Sequence, residues 1–348
     1  MPLADLAERL WYGATPDARV ARAVLAPLSA IYGATIARIN SASDHAPPEP
    51  APIAVLSIGN LTVGGTGKTP VSAWFAARLH AAGAAPTIVL RGYGDDEVLV
   101  HRLLNPAVPV VTDAERTRGV QRAAEDGADI AILDDAFQHR RAARDADVVL
   151  VSADRWNGAV RLLPAGPFRE PLSSLRRASL VIVTVKVASE AQVRDTMAAV
   201  RGATSAAVAC VELAPTAFAN AITGEVRPLS FWRGQRVLAV SAIGDPGAFA
   251  SQLTQLGLDA DPRVFPDHHP FDAGDVSRLV RWAEGLDAVV CTLKDAVKLG
   301  PQWPGSACPL WYLSQAVVPR DGADALDDLV QSVLQARRNR PSSPDLPR

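Results

Sequence analysis

The chain has 348 residues, 48% apolar and 21% charged, with a net charge of −2. That is room for about two domains and a sizeable core, and the near-zero charge removes the usual argument for nucleic acid as a partner. Cys210, Cys291 and Cys308 are widely spaced without a C-x-x-C, which fits a reducing compartment and speaks against a disulfide framework or a zinc site.

Residues 1–48 read as a helical segment. The first 13 residues lack the basic start and apolar core of a secretory signal. The longest early uncharged run, 23–37, is 15 residues long and contains Pro27, short of the ~20 residues a membrane-spanning helix needs. Arg19 and Arg22 precede that run and Arg38 follows it. Trp11, Tyr12 and Tyr32 are amphipathic aromatics of the kind found at membrane interfaces. Binding to a membrane surface and packing on the rest of the protein account for the segment equally well. Residues 41–52, SASDHAPPEPAP, are a proline-rich linker.

An apolar strand at 53–58 then runs into SIGNLTVGGTGKTP, 57–70, and a helical pattern at 71–82. Strand, glycine-rich loop, Lys-Thr and helix in that order form a phosphate-binding loop. Thr62, Val63, Gly64, Gly65, Thr66, Gly67, Lys68 and Thr69 are the expected ATP-binding residues. The glycines let backbone N–H groups approach phosphate oxygens, and the helix start adds partial positive charge. Lys68 is placed for the β/γ-phosphates and the Thr69 hydroxyl for Mg²⁺. The strict pattern has glycine at position 62, where this chain has Thr62. A turn that binds nothing would explain the glycines but not Lys68-Thr69 opening a helix.

From 51 to about 206, strand patterns at 53–58, 86–90, 108–111, 130–133, 148–151 and 180–185 alternate with helical ones at 71–82, 117–125 and 190–201. This predicts a parallel, doubly wound α/β sheet with its ligand beyond the carboxyl ends of the strands. Three polar clusters stand there. RGYGDDE, 91–97, reads as a mobile acidic loop. Asp134-Asp135 closes the strand at 130–133 like the second Mg²⁺ element of phosphate-loop enzymes, although Asp135 also suits a helix N-cap. LLPAGPFREP, 162–171, has the composition of a rigid binding loop.

Residues 208–235 read as a hinge with irregular β character. A second α/β pattern follows over 236–336, with strands at 237–241, 261–265, 288–292 and 310–313, helices at 246–256 and 275–284, and a last amphipathic helix at 323–337. It carries FPDHHPF, 265–271, and KDAVK, 294–298. The adjacent His268 and His269 lack a further ligand set nearby, so acid–base work or plain loop structure suits them better than metal. The domains expected are 1–48, 49–207 and 236–336, with 208–235 between the last two and a disordered tail at 337–348.

The motifs GNLTVGGTGKTP (59–70), RGYG (91–94), LDDAFQHRR (133–141), LLPAGPFREP (162–171), FPDHHPF (265–271) and TLKDAVKL (292–299), in this order over most of the chain, make it resemble the lipid A 4′-kinases, or tetraacyldisaccharide 4′-kinases. That family also carries a hydroxyl residue at the position of Thr62. The resemblance implies a phosphate-loop NTPase-like parallel α/β/α sandwich with a second, smaller α/β domain and an N-terminal helical segment. It implies transfer of the ATP γ-phosphate, with Mg²⁺, to the 4′-hydroxyl of a tetraacylated glucosamine disaccharide 1-phosphate. The place would be the cytoplasmic face of the inner membrane, held peripherally, with no obligatory protein partner. Carried over by position, Lys68, Asp96 and His268 are catalytic, Thr69 and Asp134 hold metal, and Tyr93, Glu97, Arg116, Asp135, Gln138, His139 and Glu170 line the cleft. Two departures stand out. The loop after RGYG is shortened, so Asp95 competes with Asp96, as His269 does with His268; and Ala136 replaces a usual glycine.

The implied chemistry is positioning and charge stabilisation, with Asp96 accepting the hydroxyl proton and a histidine orienting it. A membrane-associated ATPase switch would carry a lysine where Val63 stands. A GTPase would need an N/T-K-x-D motif, and Thr292-Leu293-Lys294-Asp295 has the wrong spacing. A soluble small-molecule kinase is the third reading.

Overall fold

The computed structural model describes residues 3–92 and 96–340. Two helices lead, α1 (Leu3–Tyr12) and α2 (Pro16–His45). The first half then runs β1 (Ala54–Asn60), α3 (Lys68–Ala81), β2 (Pro86–Leu90), α4 (Asp96–Leu104), β3 (Val110–Thr112), α5 (Arg116–Glu125), β4 (Ile130–Asp134), β5 (Ala146–Ser152), β6 (Leu180–Val185), α6 (Glu190–Arg201) and β7 (Ala207–Asn220). The second half holds β8 (Val226–Arg227), β9 (Arg236–Ser241), α7 (Pro246–Gln255), β10 (Asp259–Val264), α8 (Ala273–Trp282), β11 (Ala288–Cys291) and α9 (Leu293–Leu299), before β12 (Leu310–Asp321) and α10 (Ala323–Arg338).

The strands join into one sheet, in the order β10-β9-β11-β12-β7-β6-β5-β1-β4-β2-β3, with β8 beside β7. The path is parallel except where β12 meets β7 antiparallel. Strands β1, β2, β4 and β6 are buried at every position, as continuous apolar runs covered by helices on both faces should be. Helix starts are fixed locally. Ser189 and Gln192 form a capping box on α6, and Asp272 and Asp275 form one on α8.

The hinge expected over 208–235 begins, in the structure, as β7, a 14-residue strand. It pairs with β12 from Trp311↔Asn220 to Asp321↔Cys210, through two register shifts. The two halves are therefore joined by a hydrogen-bonded ribbon, and residues 221–309 are inserted between its strands. The helix at 323–338 follows the ribbon home. Leu326, Leu329, Val330, Val333 and Leu334, at helical spacing, pack into the first half's core with Leu56, Ile58, Phe75 and Leu79. It does not belong to the second half, where the sequence pattern had put it. Arg340, in the expected tail, is ordered and pairs with Asp145 at 2.9 Å; residues 341–348 lie outside the described part.

Candidate active site

The carboxyl ends of β1 and β4 lie side by side, with Ile58 opposite Asp134. This sets the phosphate-binding loop against the Asp134-Asp135 turn. Asn60 Nδ2 donates to Thr66 Oγ1 at 2.9 Å, Thr184 Oγ1 donates to the Thr66 carbonyl at 3.0 Å, and Gln138 Nε2 donates to the Asn60 carbonyl at 2.9 Å. Gly67 enters α3 with φ 85°, and a Cβ there would stand 2.5 Å from Leu213 Cδ1. Only glycine meets both conditions without strain. On its other side the loop is closed by the second half. A Cβ on Gly244 would come within 2.7 Å of Gly65 N.

A cavity of about 900 Å³ opens beside this loop, lined by both halves. Six basic side chains face it (Lys68, Arg91, Arg116, Arg169, Lys186 and Lys294) against four carboxylates, Glu97, Asp134, Asp135 and Asp267. A local surplus of positive charge in a chain of net charge −2 suits polyanionic ligands. Leu213, Ile243, Phe249 and Leu313 form an apolar wall.

Lys68 Nζ stands 3.6 Å from Asp135 Oδ1, and Arg169 reaches the same oxygen at 3.5 Å. Asp135 adopts φ 52°, a left-handed conformation that aspartate tolerates better than most residues. No helix starts at Asp135, so an N-cap role does not explain the pair. Ala136, the departure from glycine, is buried and has no left-handed backbone, so its Cβ costs little.

Asp134 is 4% exposed. His101 Nε2 lies 3.1 Å from its Oδ2, while Oδ1 has no partner. Burial works against its charge, but the His101 bond, with Lys68 and Lys294 nearby, holds the carboxyl below the ordinary carboxylate range. Thr69, on the first turn of α3, is buried and lines the same cavity. An orphaned, ionised carboxylate oxygen and a hydroxyl beside a phosphate site fit Mg²⁺, which takes few protein ligands and keeps several waters. Among the described residues no cluster of three or more acidic, His or Cys side chains forms a fuller metal cage.

Residues 96–97, read as part of a mobile loop, open α4, where Asp96 and Glu97 occupy the first turn. Asp96 is 5% exposed, and its Oδ2 lies 3.1 Å from His268 Nδ1, across the two halves. Burial raises the Asp96 carboxyl, but His268, Lys294 and Lys298 outweigh it and leave it lowered. The bond to Asp96 raises His268 in turn. His269 turns the other way. Its Nε2 is 2.6 Å from Asp275 Oδ2, at the start of α8. Lys294 Nζ donates to Glu97 Oε1 at 3.0 Å, and Lys298 Nζ is 4.0 Å from Asp96 and 3.4 Å from Asp295.

Arg116 is buried and donates to the Asp134 carbonyl at 2.9 Å; burial lowers its pKa. His139 is half-buried, and burial with the nearby Arg116 and Arg91 lowers it. Both line the cavity with Gln138 and Glu97. Three expected residues do not. Asp96 is buried against His268, which does line it. Glu170 is 2% exposed and takes bonds from Arg177 at 2.9 and 3.1 Å and from Asn40 of α2 at 2.9 Å. It is consumed in the joint under α2. Thr62 bridges to Phe168, with its backbone role in bracing the loop. Tyr93 and Asp95 lie outside the described residues.

Sequence reasoning passed over Lys186, Lys294, Lys298 and His101. For the two lysines of KDAVK the signal was present: two cations four apart after an apolar strand lie on one helix face. His101 carries no local signal.

A family profile described as Tetraacyldisaccharide-1-P 4'-kinase matches residues 21–335. The chain belongs to this family. A member from Halorhodospira halophila is 35% identical, over 93% of this chain and 97% of its own length, and one from Pseudomonas entomophila is 34% identical over 98% and 100%. A 4′-kinase from Anaeromyxobacter dehalogenans reaches 40% identity over 73% and 74%. The fold agrees with the crystal structure of LpxK from Aquifex aeolicus, described as the "apo" form in complex with ATP. It has TM-score 0.69 and 26% identity, over 90% of this chain and 99% of that one. Family membership therefore comes with the 4′-kinase fold over nine-tenths of the chain.

Proposed function

We propose that this chain transfers the γ-phosphoryl group of ATP to the 4′-hydroxyl of a tetraacylated glucosamine disaccharide 1-phosphate in lipid A biosynthesis. The observation that carries the reading is the contact between Asp96 and His268 on opposite halves, with His268 and Glu97, the neighbour of Asp96, lining the cleft that holds the phosphate-binding loop. Lys68 and the loop N–H groups offset charge on the phosphates. Asp96, kept ionised, accepts the proton of the attacking hydroxyl, and His268 orients that carboxylate. Thr69 and Asp134 would hold Mg²⁺, which when bound offsets charge on the phosphate oxygens. The basic residues beyond Lys68 suit an acceptor that itself carries a phosphate, and the apolar wall suits a base ring. Because both halves contribute, the cleft excludes water when filled, which limits wasteful hydrolysis.

The acceptor's acyl chains keep it in a bilayer, and α2 offers a contact. By length and composition α2 can cross a membrane, longer and more apolar than the 15-residue uncharged run had suggested. Its two faces differ, however. Ser29 and Tyr32 donate to the carbonyls of Leu162 and Arg169, and Asn40 donates to Glu170. Val20, Val24, Leu28, Ile31 and Ile39 are exposed and fall within about 100° of arc at 3.6 residues per turn. A helix docked on one face and apolar on the other fits lying in the interface of the cytoplasmic leaflet, with Arg19, Arg22 and Arg38 near anionic lipid.

The test is transfer of labelled γ-phosphate to the detergent-dispersed tetraacyl disaccharide 1-phosphate. Wild type should label the lipid. Lys68→Ala should lose on the order of 10² to 10³ in kcat, as removal of one preorganised charge from a closed site does, while remaining folded by circular dichroism. ATP turnover indifferent to the lipid would return the reading to an ATPase switch or a small-molecule kinase.

A further inference from the structure

Helix α4, which lines the cleft with Glu97, Val100 and Leu104, holds two buried groups behind that wall. Its first residue, Asp96, meets His268. Five residues on, His101 is completely buried and meets Asp134. In the role of a metal ligand Asp134 is a carboxylate, which accepts hydrogen bonds and donates none, so the geometry of this contact puts the hydrogen on Nε2. Nδ1 of the same ring has no partner. A wholly buried imidazole that leaves one nitrogen unsatisfied is costly as filler, because a buried polar atom without a bond loses about 1–3 kcal/mol of solvation. An apolar side chain would fill the space without that loss. What the ring provides is one directed bond to one oxygen of Asp134, leaving Oδ1, the other oxygen, unpartnered in a residue that lines the cavity.

We propose that His101 is a positioning residue for metal–nucleotide binding. Its Nε2–H clamps Oδ2 of Asp134, fixes the plane of the carboxylate, and reserves Oδ1 for the ion shared with Thr69. Carboxylates that ligate metals are commonly held by such outer partners, whose loss weakens metal affinity or activity about 10- to 100-fold. The inference rests on the reading of Asp134 as the metal-side carboxylate. The placement also has a geometric consequence. The proton acceptor and the clamp on the metal ligand stand on one nine-residue helix, and the ligand itself closes β4, so the His101–Asp134 contact ties the two sites together.

The experiment measures Mn²⁺ binding by electron paramagnetic resonance, with saturating ADP, on the full chain. His101→Gln places an amide N–H near the position of the ring Nε2. His101→Asn places it near Nδ1, too short to reach Asp134. Both are polar and buried, so their thermal stabilities should be similar. The expected result is Mn²⁺ affinity close to wild type for Gln and weaker by about tenfold or more for Asn. The same split should appear in the Mg²⁺ concentration giving half-maximal kcat. Equal affinities in the two variants, whether both native or both weakened, would overturn the clamp and leave His101 as packing. Asp134→Asn is the parallel arm. If it binds Mn²⁺ like wild type, the metal assignment of Asp134 fails and takes the proposal with it, a result distinct from failure of the clamp alone.

Discussion

His268 Nδ1 stands 3.1 Å from Asp96 Oδ2, across 172 positions of sequence and across the two halves of the molecule. The backbone at His268 is left-handed, with φ 59°, a conformation costing a non-glycine residue about 1–3 kcal/mol. It persists because its neighbours are tied down. His268 N donates to the Ala242 carbonyl at 3.2 Å, and His269 is fixed by Asp275 and by Lys298, which donates to its carbonyl at 2.9 Å. The backbone strain is thus held at the residue whose side chain meets the buried Asp96 carboxylate.

That contact has a pH signature. His268 is raised by Asp96, so its share of stability is fully present below the ordinary histidine value of about 6.5 and is lost as pH rises through the higher folded value. Asp96 is lowered, so its share is present above about 3.9 and is lost as pH falls through the lower folded value. The Tm difference between wild type and His268→Gln should therefore be largest from about pH 4 to 6.5 and shrink above neutrality. Thermal melts from pH 5 to 8.5 read this directly; a difference flat with pH would mean that no ion pair forms. Steady-state kinetics should also show His268→Ala losing more kcat than His269→Ala, which sits on Asp275.

The seam between the phosphate-binding loop and the second half can be tested by a single methyl group. Gly244→Ala pushes a Cβ to 2.7 Å from Gly65 N and 3.0 Å from Gly64 Cα, both backbone. Overpacking of this kind costs about 1–3 kcal/mol, and the loop is what gives way, so KM for ATP should rise on the order of tenfold. Gly247→Ala, three residues on, meets nothing within 4 Å and should leave KM unchanged. Similar values for the two variants would show that the halves do not press on the loop.

The apolar stripe of α2 makes a third prediction. Val24 is 69% exposed and Ile31 65%, so replacing both by aspartate removes no core contact, and each change should move stability by no more than about 0.5 kcal/mol. In a membrane interface the pair contributes about 3–6 kcal/mol, so binding to vesicles containing anionic lipid should drop by at least ~10²-fold. Sedimentation with such vesicles checks it. Transfer to lipid should fall with binding while nucleotide affinity holds. Undiminished sedimentation would place membrane contact elsewhere.

The buried strands and the phosphate-binding loop were legible because they are local. Continuous apolar runs give β1, β2, β4 and β6, and glycines followed by Lys68-Thr69 give the loop and the start of α3. The features that escaped are non-local. The β7–β12 ribbon pairs residues about one hundred positions apart, so 208–220 shows only weak alternation and reads as a hinge. Helix α4 begins with two carboxylates, and Lys294 and Lys298, far along the chain, face that first turn; without them Asp96 and Glu97 look like a solvated turn. Glu170 looks available for a cleft until Arg177 and Asn40 are seen to occupy it. His101 is one more residue in a short amphipathic stretch until β4 delivers Asp134 to it.

The return of α10 to the first half has a consequence for synthesis. The phosphate-binding loop leaves the ribosome early, but the helix that covers Ile58, Phe75 and Leu79 is made about one hundred residues after β7. At roughly 5–20 residues per second, that apolar surface stays uncovered for some 5–20 s after β7 is complete. The inserted segment, meanwhile, needs only β7 and β12 to complete its cores, and both are made before α10. The order of maturation is thus the reverse of the order of translation, and the nascent nucleotide-binding half is a natural client for chaperones until the last helix is released.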